Sequence, residues 1–141
     1  MEVLGGAASA VAVIELAAKV GALCVRYSLA VKKAKHDIER LQQQIDALKT
    51  IAKGAQQLLQ GPDGPRLKTA QSLDGALANA RSQLDVICTK LEEKLDGRTG
   101  RVIRRLGLLK WPFESKDIDK IVASLQQDRD TISAALQIDQ T

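Results

Sequence analysis

The residues of this 141-residue chain that could do chemistry are few and scattered. Its one histidine, His36, stands beside Asp37 and Glu39 on the polar side of a helical pattern. Metal binding or triad chemistry needs partners converging from elsewhere. None is visible, so His36 is expected to be a solvated surface residue. Cys24 and Cys88 share no pair spacing and each lies among apolar residues, which predicts small buried hydrophobes in a reduced, intracellular setting rather than nucleophiles or a disulfide. The turn from Gly61 to Gly64 lacks the Gly-Lys-Ser/Thr ending of a phosphate loop, and Gly5-Gly6 follows no strand. Glu92 and Glu93 are adjacent, so on a helix they point about 100° apart and form no carboxylate pair. The sequence therefore predicts no catalytic residue, no cofactor-binding residue and no metal ligand, and an enzyme is not expected.

Charge is distributed more tellingly. The total is 21 basic against 17 acidic residues, a net of +4, but Arg98, Arg101, Arg104, Arg105 and Lys110 fall in one stretch without a single acid. One reading is a solvated face whose apolar side caps the core. The other is attraction to anionic lipid head groups, worth about 1 kcal/mol per basic residue near such a surface. Nucleic acid is disfavoured, because no aromatics interleave with these charges to stack on bases. Trp111 and Phe113 follow directly; they can plug the end of a core or anchor at a membrane interface.

The elements that must position these residues read as helices. The chain is 45% hydrophobic with only three aromatics, and 19 Ala plus 19 Leu outnumber 10 Ile plus 9 Val two to one. One domain spanning residues 1–141 is expected, with helices at about 3–25, 27–60, 66–96, 101–109 and 115–137. The second has the seam Val31, Ala34, Ile38, Leu41, Ile45, Leu48, Ala52, Ala55 and Leu59, stepping by three and four until Gly61-Pro62 stops it. The third repeats the device through Ala70, Leu73, Leu77, Ala80, Leu84, Ile87, Leu91 and Leu95. A short basic amphipathic connector follows. The last helix is expected to take Ser115 as N-cap, with Asp117 in its first turn and the seam Ile118, Ile121, Val122, Leu125, Ile132, Ala135 and Leu136. No stretch alternates as a strand. The fold class is all-α, a four-helix-type bundle with an apolar N-terminal helix.

That first helix carries more aliphatic surface than one packing face needs. Val3, Leu4, Val11, Val13, Ile14, Leu16, Val20, Leu23 and Val25 occupy most of its circumference. Glu15, Lys19 and Arg26 fall within about 40° of one another as a narrow polar stripe. Its 23 residues would span about 34 Å, enough for a hydrocarbon core, yet its longest uncharged run is 12 residues. Such a helix is either central in a bundle or able to exchange that burial for lipid.

The chain resembles the HeLo-like N-terminal domain of fungal STAND receptors, the intracellular NOD-like immune proteins. The resemblance rests on Met1 and Leu4 followed by small and apolar residues, on the Leu16-Ala17-x-Lys19-Val20 run, and on Tyr27 opening the second helix. It rests further on Leu109-Lys110-Trp111-Pro112-Phe113 and the ending Ala134-Ala135-Leu136-Gln137-Ile138-Asp139. The resemblance implies a cell-death execution domain, similar to other helical executioner bundles. A C-terminal sensor or nucleotide-binding domain of the full-length protein would drive self-association. The N-terminal helix would then leave the bundle and permeabilise the plasma membrane, moving a cytoplasmic protein to that membrane. Anionic lipids would be met by Arg98, Arg101, Arg104, Arg105 and Lys110. The alternative is an interaction module without membrane activity, exchanging its heptad seams between chains or holding the receptor inactive.

Overall fold

The computed structural model describes residues 5–31, 33–61, 69–95 and 110–140. They form four α-helices and, among these residues, no strand: α1 (Gly5–Ala30), α2 (Lys35–Gln60), α3 (Ala70–Leu95) and α4 (Ser115–Gln140). Each has 26 residues, about 39 Å at ~1.5 Å per residue. Equal lengths let one continuous core run from end to end. The expected connector helix at 101–109, with Arg98, Arg101, Arg104 and Arg105, lies outside the described residues, as do Val3 and Leu4.

The helices sit at the corners of a square. α1 packs on α2 and α3, α4 packs on the same two, and α2 meets α3 only sparsely across the diagonal. Side-chain bonds give the directions. Ser9 reaches Asp74 and Lys19 reaches Glu92, so α1 and α3 are parallel; Ser115 reaches Asp37 and Arg40 reaches Asp119, so α2 and α4 are parallel. Thr69 and Gln83 bond to Ala135 and Ser124, which makes α3 and α4 antiparallel. The expected seams fill the centre: Ile38, Leu41, Ile45, Leu48, Ala52 and Ala55 of α2, Leu73 to Leu95 of α3, and Ile118, Leu125 and Ile132 of α4 are buried.

Several boundaries differ from those expected, among them the last helix, which runs to Gln140 rather than 137. α1 continues to Ala30, so Tyr27 belongs to α1 and does not open the second helix. The cause is that Val20, Cys24, Tyr27 and Val31 extend the buried face of α1 without a break, and no Gly or Pro interrupts residues 22–31. α2 then starts at Lys35 after Ala34, which supplies no side-chain cap. Ser115 is not the N-cap of α4. The Glu114 carbonyl accepts from Asp117 and Ile118, the Asp117 side chain accepts from the Glu114 N–H at 3.1 Å, and the Ser115 hydroxyl is left to donate to Asp37 at 2.7 Å. The α2 terminus falls where expected, since Pro62 forces Gly61 to the extended conformation it shows, φ −69° and ψ 170°.

Candidate functional site: the first helix and the bundle end it shares with Trp111

α1 buries one face, made of Ala10, Val13, Ala17, Val20, Leu23, Cys24 and Tyr27. Of the residues expected to enter a membrane, Val13, Val20 and Leu23 thus lie in the core, Val11, Ile14 and Leu16 are half-buried, and Val25 is 47% exposed. The stripe Glu15, Lys19 and Arg26 faces outward together with Ala8, Ala18 and Ala22. The stretch Ala8–Ala30 is long and apolar enough to cross a membrane; its most apolar 18 residues have a mean hydropathy of 1.9, and only 33% of them are buried. A core helix uses its apolar surface against neighbours. α1 leaves Val25 and Leu29 in solvent, Leu29 at 85% exposure.

Few polar contacts hold this helix. The Lys19 ammonium pairs with Glu92 of α3 at 2.7 Å rather than with Glu15 one turn away. Both groups are substantially exposed, so solvent screens the pair and it adds little to stability. Glu92 also accepts from the Cys88 thiol at 2.9 Å. The thiol and the ammonium together hold the Glu92 carboxyl below its ordinary range. Burial, and then Glu92, push Cys88 up to about 11. A thiol so poorly ionised is no nucleophile at neutral pH, and Cys24 is buried too.

The C-terminal end of α1 is closed by aromatics. Buried Tyr27 donates to the Leu91 carbonyl at 2.8 Å and meets the Trp111 ring edge-on at 5.3 Å, and Trp111 meets Phe113 in the same way at 5.3 Å. Phe113 is buried, Trp111 is half-buried, and Lys90 lies 5.5 Å over the Phe113 ring. Trp111 and Phe113 therefore sit at one end of the core, where the chain enters α4. An open cavity of about 800 Å³ beside them is lined by Ala30, Val31 and Ala34, by the cations Lys33 and Lys110, and by the acids Asp37 and Glu114. The Trp111 indole N–H is buried there without a partner among the described residues.

A second groove of about 570 Å³ runs between the parallel helices α1 and α3, floored by Ala12, Leu16 and Ala78 and rimmed by Glu15, Lys19, Arg81 and Asp85. Its charges balance. On the opposite side of α3 lies a feature the sequence reading missed. Asp128 of α4, 6% exposed, accepts from Asn79 at 2.8 Å and from Gln83 at 3.2 Å, and Gln83 also donates to Ser124 at 2.7 Å. Burial pushes the Asp128 carboxyl up, with Asn79 partly offsetting it. The signal was a gap: the α4 seam skips from Leu125 to Ile132, and Asp128 is the position between.

His36 is exposed, and no cluster of metal-ligating residues occurs among the described residues. Among the described residues the arrangement comprises an apolar helix, an aromatic bundle end whose cavity carries both lysines and acids, and a charge-balanced groove. No family model, curated protein or solved structure matches the chain.

Proposed function

We propose that the bundle is a membrane-active execution domain whose first helix leaves its packed position on self-association and enters a lipid bilayer. The observation that carries this reading is the mismatch in α1, which has the length and hydropathy to span a membrane but buries only a third of its most apolar stretch. Its buried face is built mainly of alanine and valine, so releasing it forfeits less packing than releasing a leucine-rich helix would. The resemblance to HeLo-like domains of fungal STAND receptors supplies the setting, programmed cell death triggered by a sensor domain.

The test is dye release from anionic liposomes by wild type and by Ala18→Glu. Ala18 is exposed near the middle of Ala8–Ala30, so the substitution leaves the resting bundle intact. A carboxylate at the centre of a spanning helix costs about 3 kcal/mol, so leakage should fall by about 100-fold. Ala123→Glu, equally exposed on α4, should leak like wild type. Equal leakage by both variants would sink the proposal.

The balanced charges along the groove between α1 and α3 favour a second reading, an interaction module that docks a partner helix without touching lipid. A stoichiometric complex in solution with no liposome sedimentation would select it.

A further inference from the structure

We propose that the bundle end carrying Arg26, Leu29, Lys33 and Lys110 is the surface that docks on an anionic lipid bilayer before α1 moves, an inference that rests on the membrane reading above. The first observation is an imbalance of partners. Of the acids lining the cavity at this end, Asp37 accepts from the Ser115 hydroxyl at 2.7 Å and lies 3.6 Å from Arg40, which pairs more closely with Asp119 at 2.7 Å, and Glu114 is engaged by Lys116 at 3.3 Å. Lys33 and Lys110, on the rim of the same cavity, make no ion pair among the described residues, nor does Arg26, one turn before Ala30. Arg26, Lys33, Arg40, Lys110 and Lys116 thus face Asp37, Glu114 and Asp119, and the first, second and fourth of these cations have no acid beside them among the described residues. This end therefore presents net positive charge to an approaching surface.

The second observation is independent of charge. Leu29, in the last turn of α1, is 85% exposed, and Val25, one turn earlier on the same face, is 47% exposed. Free cations around a protruding leucine are the complement of a bilayer interface, where head-group phosphates meet the charges and the acyl boundary takes the aliphatic tip. An acidic protein surface would satisfy the lysines and leave Leu29 in water.

Trp111, the only tryptophan, lines the cavity and reports binding by its fluorescence. The full chain should sediment with phosphatidylcholine vesicles containing phosphatidylserine and remain soluble with phosphatidylcholine alone. The double variant Lys33→Gln with Lys110→Gln should partition about 30-fold more weakly, the equivalent of about 1 kcal/mol per lysine. Lys49→Gln with Lys53→Gln, the same charge change midway along α2, should bind like wild type. Leu29→Gln should bind more weakly at every salt concentration, because its loss is apolar. Wild-type partition by the Lys33 and Lys110 variant, or equal loss in the Lys49 and Lys53 control, would overturn the proposal. Its failure is separable from that of the insertion reading. Leakage that persists in a Lys33 and Lys110 variant with unchanged binding overturns docking alone, whereas docking without any leakage overturns insertion alone.

Discussion

The Tyr27 hydroxyl of α1 donates to the Leu91 carbonyl of α3 at 2.8 Å, next to the residue, Glu92, that holds Lys19. The two helices are thus joined by polar contacts at two consecutive residues of α3, and one of these contacts is fully buried.

Tyr27→Phe keeps the ring against Trp111 and deletes that bond. The variant should lose about 1 kcal/mol of stability, a fall of about 3–5 °C in Tm for a domain of this size. Amide hydrogen exchange should quicken in α1 ahead of α4. Uniform acceleration across all four helices would show that the bond does not hold α1 in particular.

Asp128→Asn tests the buried carboxylate. Burial raises the folded-state pKa of Asp128 above its unfolded value. The folded chain therefore holds the proton more tightly, and ionisation opposes folding. That opposition is absent below the ordinary aspartate range, grows as pH rises through the window between unfolded and folded values, and stays constant above it. The stability of Asp128→Asn relative to wild type should accordingly increase with pH across that window, as read by denaturant unfolding at a series of pH values. Parallel curves for the two proteins would contradict this account.

Gly75→Ala should stabilise. A Cβ at Gly75 meets nothing within 4 Å, so the substitution gains helix propensity and restricts the unfolded chain, together about 0.5–1 kcal/mol. A rise in Tm without change in helical content is the expected result. Destabilisation would mean that the exposed face of α3 is in contact with something.

The repeating parts of this architecture are legible in the sequence because periodicity is a local property. Steps of three and four through Ile38 to Ala55 and Leu73 to Leu95 name residues that are all buried. What is illegible is tertiary. Lys19 has an acid one turn away in Glu15, yet it pairs with Glu92, far along the chain, because the parallel packing of α1 and α3 brings that carboxylate closer. The break between α1 and α2 has no Gly or Pro to mark it and is set by where the aromatic end closes over Tyr27. Asp128 reads as one more charge in a polar run, and only the facing Asn79 and Gln83 make it an interior residue.

The sparse contact between α2 and α3 has a consequence for what remains once α1 departs. With α1 gone, these two helices are joined laterally only through α4, and their buried seams border an empty slot one helix wide. If α1 leaves as proposed, α1 of a neighbouring copy, having the same sequence, would complement that slot as its own helix does. Under that proposal each departure would create the acceptor for the next arrival, and assembly would then proceed as a nucleated chain reaction with a lag and a critical concentration.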